Sequence, residues 1–338
     1  MTSKKPSSKA KNSVDTTLIA VTWVLLVSYI LAFGASFWWV FDLFSNFNMQ
    51  YMVGGLLLTP PLIAIKRHKH AALSLTITIL CLVESRLALD NPFQFFSPLQ
   101  TESLIEESLV KIVQYNHNIG QTDLNDTKKW LTQHKSSFDV IILQEASNQT
   151  VDLSKKLQDS YPYMVSAPRS HPFGMVILSK YKILNYKEIE LTKSPFNNIV
   201  MRLSIDIPNS SEPLTLYTVH AAPPASQFYA QQRNNELSII ANYILNEPGK
   251  YTVFVGDWNL TPYSPYFKKL KNDSGLNYQA YGLFLNPTWL SFAHFNMFKI
   301  PIDHLLHSDG IKLLDKEVGP AFISDHHSLI TTLGIPKN

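Results

Sequence analysis

Polar side chains that can bind a metal ion or a phosphate recur in this sequence directly after short apolar runs. Carboxylate and amide oxygens suit a hard cation, and imidazole can stabilise negative charge on oxygen. In chain order the polar groups are Asn116-His117-Asn118, Gln144-Glu145, His220, Gly256-Asp257-Trp258-Asn259, Asp303-His304 and Ser324-Asp325-His326-His327. Each group alone has a plainer explanation, since Asn favours turns and a lone His is usually a core residue. Their recurrence predicts one cleft where several strands end together.

The apolar runs before these groups have the composition of β-strands, and longer stretches between them have apolar residues at helical spacing. The strand-like runs are KIVQY, FDVIIL, GMVILS, IVMRLSIDI, LTLYTVH, YTVFVG, IDHLLH and HHSLITTL. The helical stretches are about 124–134 and 226–245. Many strands with a few long helices indicate sheets covered by helices. We therefore expect residues 109–338 to form one α/β domain that carries the cleft at a sheet edge.

The order of the polar groups resembles the endonuclease/exonuclease/phosphatase superfamily over about residues 110–335. The resemblance rests on Asn-x-Asn, Gln-Glu, a strand-end His, Gly-Asp-x-Asn, Ile-Asp-His and Ser-Asp-His, of which GDWN and SDHH are the most specific. That superfamily includes pancreatic-type DNases, abasic-site endonucleases, inositol-polyphosphate phosphatases, neutral sphingomyelinases and deadenylases. The resemblance implies a four-layer α/β/β/α sandwich with the site where the two sheets open. It also implies hydrolysis of a phosphoester with Mg²⁺ or Mn²⁺ as the cofactor.

Four residues form the metal side of the site that this resemblance implies. Glu145 looks like the carboxylate that holds the metal ion, and Asp325 looks like a further carboxylate on that side. Asn118 stands where the family has Asn or Asp near the metal, and Asn116 looks like its companion on the same strand. Abasic-site endonucleases have Asp at the position of Asn118, so that substrate class is disfavoured here.

Five further residues look like the groups that carry out the reaction. Asp257 looks like the residue that orients and deprotonates the attacking water, and Asn259 looks like the amide that positions the phosphate. His326 looks like the imidazole that stabilises charge on the phosphoryl oxygens, with Asp303 oriented toward it. His220 is similar to the strand-end His that contacts the phosphate in the sphingomyelinase and phosphatase branches. These roles match the general base and the electrostatic stabilisation that phosphodiester hydrolysis needs.

The first 89 residues differ from the rest because long uncharged stretches dominate them. A stretch of about 20 apolar residues can cross the hydrocarbon core of a bilayer. The predicted spans are about 16–41, 46–65 and 70–89, after a basic tail over residues 1–15 and before a linker over 90–108. The first stretch is longer than the apolar part of a signal peptide, and a second follows closely. We therefore expect a membrane-anchored member of the superfamily, similar to bacterial ones.

Basic residues decide the expected orientation of these spans, because cytoplasmic loops carry an excess of Lys and Arg. Four lysines precede the first span, and Lys66, Arg67 and Lys69 lie between the second and third. Three spans then predict a multi-pass protein whose catalytic domain lies outside the cytoplasm. Glu84 and Arg86 interrupt the third stretch. If this stretch does not span the membrane, the two remaining spans place the catalytic domain in the cytoplasm.

Charge and cysteine content restrict the function classes further. The formal net charge of +3 comes from the first hundred residues, because the remainder carries one more acidic residue than basic residues. Proteins that bind duplex nucleic acid usually show a basic footprint. Cys81 is the only cysteine, so no intrachain disulfide and no Cys-rich zinc site can form.

Three function hypotheses follow from these observations. The first is a metal-dependent phosphodiesterase or phosphatase that meets a lipid headgroup or a small phosphoester at a bilayer. The second is a membrane-tethered endonuclease or exonuclease with the same site and nucleic acid as substrate. The third is a catalytically silent scaffold, which the filled catalytic positions disfavour. No protein partner follows from the sequence.

Overall fold

The computed structural model describes residues 8–96, 107–121, 123–191, 198–247 and 249–337. They form two compact units. A helical unit comprises the chain up to residue 88 together with 262–265, and an α/β unit comprises 89–261 and 266 onward.

The helical unit consists of four helices. They are α1 (Ser8–Ala32), α2 (Trp39–Ser45), α3 (Asn48–Ala64) and α4 (His68–Leu87). α1 ends at Ala32, inside the predicted first span 16–41, and turns that include Gly34 follow. Glycine has a lower helix propensity than almost any other residue, which is consistent with the end of α1 before Gly34.

The three long helices alternate in direction along the chain. At the starts of α1 and α4, Arg67 Nη2 lies 3.5 Å from Asp15 Oδ2. Near their ends, the Tyr29 hydroxyl donates to Glu84 Oε1 over 3.5 Å, so α1 and α4 run the same way. α3 runs oppositely, because Asn48 at its start donates to Glu84 Oε2 over 3.2 Å.

Two helical stretches among the described residues are long and apolar enough to cross a membrane. They are Ser13–Ala32 in α1 and His68–Leu87 in α4. α3 corresponds to the predicted span 46–65, but it has 17 residues and is not one of these two. A signal sequence or the core helix of a soluble protein meets the same criteria of length and composition.

The α/β unit contains two mixed six-stranded sheets. The first has the strand order β11-β12-β1-β2-β4-β3, and the second has β5-β6-β7-β8-β10-β9. The strands of the first sheet are β1 (Glu107–Asn116), β2 (Val140–Gln144), β3 (Tyr163–Ala167), β4 (Met175–Ser179), β11 (Lys312–Val318) and β12 (Leu329–Pro336). Those of the second are β5 (Ile183–Glu190), β6 (Ile199–Ile205), β7 (Leu214–His220), β8 (Tyr251–Asp257), β9 (Asn277–Tyr278) and β10 (Asp303–His307). Only β1 with β2 and β7 with β8 pair in parallel among these strands.

Helices flank the two sheets, and this confirms the predicted α/β sandwich. The helices are α5 (Asn125–Gln133), α6 (Asn148–Lys155), α7 (Gln227–Asn246) and α8 (Pro265–Ser274). Trp130 of α5 and Leu153 of α6 pack with Val113 and Tyr115 on the outer face of the first sheet. α7 begins after Ser226, whose hydroxyl caps the helix by accepting a hydrogen bond from the Tyr229 amide.

The inner faces of the two sheets share one apolar core, and each face becomes polar at the same edge. In β8, Val253 and Val255 lie in this core, and Asp257 follows on the same face because side chains alternate along a strand. The same spacing places Gln114 and Asn116 after Ile112, Gln144 after Ile142, His220 after Leu216, and Asp303 two residues before Leu305. Strand periodicity therefore gathers the polar groups at one end of the sandwich.

The predicted linker, 90–108, is only partly described, because 97–106 lie outside the described residues. Its described ends are structured. Asp90 accepts a hydrogen bond from the Tyr278 amide and pairs with Lys271. At the other end, β1 already begins at Glu107.

Candidate active site

The predicted site residues converge because of how the strands pair. In the parallel pairs, Asn116 stands beside Gln144 and His220 stands beside Asp257. The antiparallel strand β10 begins at the same edge, where Asp303 pairs with Asp257. A cavity of about 430 Å³ opens there. Seven predicted residues line it: Asn116, Glu145, His220, Asp257, Asn259, Asp325 and His326.

Asp257 lines the cavity and is 1% exposed. Its Oδ2 accepts a hydrogen bond from Asn116 Nδ2 over 3.0 Å, and its Oδ1 accepts one from the backbone N–H of Asn259 over 2.9 Å. Two imidazoles face Oδ2, with Nε2 of His220 at 3.3 Å and Nε2 of His326 at 3.6 Å. A carboxylate held this firmly beside two imidazoles can orient a water and accept its proton.

His326 forms a buried ion pair with Asp303, since its Nδ1 donates to Asp303 Oδ2 over 2.9 Å. Asp303 Oδ1 also accepts a hydrogen bond from Gln114 Nε2 over 2.7 Å. This pairing fixes the imidazole ring and turns its Nε2 toward Asp257 and the cavity. A cation fixed there can stabilise negative charge that develops on a phosphoryl group.

Burial and mutual charge set the ionisation of these three groups. Burial raises the pKa of Asp257 to about 6, with the Asp303 charge adding to the rise and His326 opposing it. Burial alone would lower the pKa of His326, but the charges of Asp303 and Asp257 outweigh it and raise that pKa to about 10. Burial also opposes ionisation of Asp303, yet the charge and hydrogen bond of His326 keep its pKa below its usual value. At neutral pH the site thus contains an imidazolium between two carboxylates.

Asn259 and His220 form one wall of the cavity. The Asn259 side-chain nitrogen donates to the Ala221 carbonyl over 3.0 Å and lies 3.3 Å from His220 Nε2. His220 Nδ1 lies 3.0 Å from the Pro172 carbonyl, so Nδ1 carries a proton, because a carbonyl oxygen only accepts. His220 Nε2 is therefore the atom that faces Asp257 and the cavity.

Glu145 presents its carboxylate from the end of β2, with a backbone φ of 61°. Such a conformation is uncommon for a residue other than glycine, and residues held in uncommon backbone conformations cluster at functional sites. Its Oε1 accepts from Asn116 Nδ2 over 3.0 Å, and its Oε2 accepts from the Ile119 amide over 2.8 Å. Asn116 therefore bridges Glu145 and Asp257.

Asp325 lies across the cavity and is held by two side chains. Asn118 Nδ2 donates to Oδ1 over 2.9 Å, and Trp289 Nε1 donates to Oδ2 over 3.1 Å. Asn118 is not among the residues that line the cavity, and its own oxygen accepts from the Gly120 amide over 2.9 Å. The structure thus places Asn118 behind Asp325, which it orients.

A cation fits this end of the sandwich in two ways. Asp257, Asp303 and His326 form a buried group whose ligand atoms lie within 4.8 Å of one another, and such a group can bind a metal. The short bond from His326 to Asp303 already accounts for that spacing as an ion pair. Glu145 and Asp325 offer only oxygens and line the open cavity, which is the donor chemistry that Mg²⁺ prefers. Each of their four oxygens accepts one of the hydrogen bonds described above and keeps a second lone pair for an ion.

Residues to which sequence reasoning assigned no role of their own lie beneath the cavity. Gln144 Oε1 accepts from the Asp257 amide over 3.1 Å and from Gln114 Nε2 over 2.6 Å, while its Nε2 donates to the Val219 carbonyl over 2.6 Å. The two buried glutamines thus join the first sheet to the second directly below the site. Gly256 has a φ of 156°, and a Cβ there would lie 2.1 Å from the Val219 oxygen, so the glycine before Asp257 is required. The signal in the sequence that could have identified Gln114 and Gln144 is the presence of polar residues at alternate positions of otherwise apolar strands.

Comparisons with known proteins agree with this fold. The model of the endonuclease/exonuclease/phosphatase family matches residues 113–326. A structure described as an endonuclease/exonuclease/phosphatase from Beutenbergia cavernae is 16% identical, with a TM-score of 0.55 over 68% of this chain and 72% of that one. A D. rerio TDP2 complexed with single strand DNA product is 17% identical, with a TM-score of 0.52 over 67% of this chain and 99% of that one. The human Nocturnin catalytic domain with bound sulfate is 15% identical, with a TM-score of 0.51 over 67% and 94% of the two chains. At these identities the structural likeness shows the fold alone. No curated protein sequence matches the chain.

Proposed function

Because the chain belongs to the endonuclease/exonuclease/phosphatase family, whose members hydrolyse phosphoesters, we propose that this hydrolase cleaves a small phosphodiester, such as a lipid headgroup, with the aid of a divalent cation. The observation that carries the proposal is the cavity in which Asp257, His326 and Glu145 meet. Their types and positions supply a base, a cation and a metal-binding carboxylate in one place. A phosphatase acting on a small monoester would use the same groups.

The residues that line the cavity have different roles in the proposed reaction. Asp257 orients the attacking water and takes its proton, since it is the central carboxylate and is hydrogen-bonded by Asn116. His326, kept cationic by Asp303, stabilises charge on the phosphoryl oxygens. Asn259 and His220 position the phosphate from the opposite wall.

Mg²⁺ or Mn²⁺ is the proposed cofactor, and Glu145 with Asp325 would hold it. When bound, the ion would neutralise phosphoryl oxygens and assist departure of the leaving group. Asn116 and Asn118 orient these two carboxylates through hydrogen bonds of 3.0 and 2.9 Å. Family members are typically dependent on a divalent metal, and the oxygen-only donor set favours a hard cation.

Removal of the metal is expected to abolish hydrolysis by the full-length protein in detergent, and added Mg²⁺ should restore it. Glu145→Gln should raise the Mg²⁺ concentration at half-maximal rate by about 100-fold, since losing even an outer partner of a metal site costs about 10- to 100-fold. The matched control is Glu188→Gln, which removes an exposed carboxylate on β5. A full rate in excess chelator, or equal Mg²⁺ dependence of Glu145→Gln and wild type, would contradict the assignment.

The lining of the cavity favours a small phosphodiester over a nucleic acid. Besides the polar groups, the cavity is lined by Pro172, Phe173, Pro223, Ala225, Tyr229 and Trp289. None of these lining residues, all in the described part of the chain, is a lysine or an arginine. Affinity for a polynucleotide comes largely from basic side chains that neutralise successive phosphates. A nuclease is the second candidate, supported by the DNA product bound to the D. rerio TDP2 of similar fold.

The chain is further proposed to be a multi-pass membrane protein with the α/β unit outside the cytoplasm. α1 and α4 have the length and composition of spans, and they run in the same direction. If both cross the bilayer, α3 must cross back between them. The lysines around the start of α1 and the basic residues around the start of α4 then lie on one side, which the positive-inside rule makes cytoplasmic.

Labelling from outside intact cells should reveal this orientation. In a Cys81→Ala background, Leu245→Cys on α7 should react with a membrane-impermeant maleimide, because Leu245 is 59% exposed. Lys5→Cys, in the basic tail, is the matched control and should react only after permeabilisation. If neither position reacted before permeabilisation, the domain would be cytoplasmic and only two helices would span, and the reverse pattern would mean that the whole orientation is inverted.

A further inference from the structure

A run of phenylalanines is exposed beside the cavity in the segment 291–298, which we call the aromatic loop. Phe292 is 72% exposed, Phe295 is 62% exposed and Phe298 is 55% exposed. Phenylalanine is normally among the more buried residue types, and contiguous apolar surface marks a site of interaction. The rings of Phe295 and Phe298 lie 6.5 Å apart, so they form one surface.

The base of the aromatic loop is fastened to the active site. Trp289, just before the loop, lines the cavity and donates to Asp325. Trp289 also forms an isolated β-bridge with His326. The backbone amide of Ser291 donates to the Asp325 carbonyl over 2.9 Å. The base of the loop is therefore fixed next to the catalytic groups.

The composition of the loop suits a lipid surface. From Trp289 to Lys299 there is no acidic residue, and the polar side chains are few. Phenylalanine, like Trp and Leu, is typical of the apolar face that interfacial segments bury at the boundary between the lipid headgroups and the acyl chains. An anionic polymer would instead need basic residues, and the only one in this segment, Lys299, is buried.

We propose that the aromatic loop docks into the interfacial layer of the bilayer that holds the helices of the same chain. The inference rests on the proposed membrane anchoring, which keeps the α/β unit close to a lipid surface. Docking would bring the mouth of the cavity to the level of the headgroups. A phosphodiester that remains in the membrane could then reach Asp257 without being extracted.

Fluorescence quenching by lipids tests the docking without any need for catalysis. The full chain with Cys81→Ala and Phe295→Cys would carry an environment-sensitive NBD label and be reconstituted in phosphatidylcholine vesicles. Spin-labelled phosphatidylcholine with the quencher near the headgroup should quench this label at least two-fold more than it quenches the control. The control label is at Leu245→Cys, near the end of α7 distant from the cavity, about 27 Å from its first turn at 1.5 Å per residue.

Equal, weak quenching at both positions would overturn the proposal. An emission shift that depends on protein density in the vesicle, and not on the quencher lipid, would identify a second copy of the chain as the occupant and would overturn it too. Flotation of the vesicles reports separately whether the chain is anchored at all. Failure of the docking is thereby distinguished from failure of the anchor.

A triple substitution adds a functional measurement. Phe292→Ser, Phe295→Ser and Phe298→Ser together should lower hydrolysis of a phospholipid in the same vesicles by at least ten-fold. Hydrolysis of soluble bis(p-nitrophenyl) phosphate should stay within two-fold of wild type, because these exposed rings do not line the cavity. Leu245→Ser is the matched control for loss of an exposed apolar side chain. An equal loss on both substrates would contradict a role at the lipid surface.

Discussion

Asp257→Asn is expected to lower the rate constant for phosphodiester hydrolysis by about 10²- to 10⁴-fold, the usual contribution of a positioned general base. The amide has nearly the same shape as the carboxylate but cannot take a proton from water. Its oxygen can still accept from Asn116 or from the Asn259 amide, so the local geometry should survive. The measurement is kcat at saturating Mg²⁺ and substrate.

Stability separates this loss of chemistry from a loss of fold. Burial of the charged Asp257 carboxylate is unfavourable and raises its pKa to about 6. A neutral amide at this position should therefore leave the thermal midpoint of unfolding near that of wild type. Asp206→Asn, which changes an exposed carboxylate after β6, should leave both rate and midpoint unchanged. A rate within three-fold of wild type for folded Asp257→Asn would exclude Asp257 as the base.

The second large effect is expected at the buried ion pair of His326 with Asp303. His326→Gln should lower kcat by about 10²- to 10³-fold, the usual loss when one stabilising donor is removed from a transition state. Asp303→Asn should cause a smaller loss, because the imidazole stays but loses the charge that holds it. The double variant should lose no more than His326→Gln alone, since residues that act as a unit are not additive.

The pH dependence of Asp303→Asn distinguishes this account from a purely structural role. Asp303 helps to raise the pKa of His326 to about 10, so in wild type the imidazolium persists through neutral pH. Without that carboxylate the pKa should fall, and activity should be lost as pH rises through the new value. A basic limb at the same pH in both proteins would contradict electrostatic stabilisation by His326.

The alternation of side chains along strands explains why sequence alone located most of the site. Asp257 and His220 end apolar strands on the core-facing side, so their positions could be predicted without knowledge of the sheet order. The roles of Gln114 and Gln144 could not, because their partners come from the other sheet, 189 and 75 residues away in sequence, respectively. Trp289 was missed for the same reason, since its partner Asp325 is distant in sequence.

The strands that the sequence did not predict share weak apolar alternation. β5 is mostly exposed and carries lysine and glutamate at the sheet edge. β11 has an irregular register between Leu313 and Asp315, which breaks the alternation that identifies a strand. β9 is only two residues long, and the edge strand β3 has only its last residue buried. These elements depend on pairing with their neighbours more than on their own sequence.

Hydropathy likewise predicted the long apolar helices of the first unit but did not determine how many of them cross a membrane. Length and composition make stretches of α1 and α4 candidate spans, whereas α3, with 17 residues, is not one of these candidates. The direction of the helices came from contacts, such as that of Asp15 with Arg67, which no local pattern encodes.

The most direct test of a metal-dependent phosphodiester hydrolase is one panel of initial rates for the full-length protein. A phospholipid in vesicles, bis(p-nitrophenyl) phosphate and a single-stranded oligonucleotide would be compared with Mg²⁺ and with excess chelator. We expect hydrolysis of the first two only with Mg²⁺, and at least ten-fold slower cleavage of the oligonucleotide. Absence of hydrolysis of all three with Mg²⁺ or Mn²⁺, or equal rates in chelator, would contradict the account.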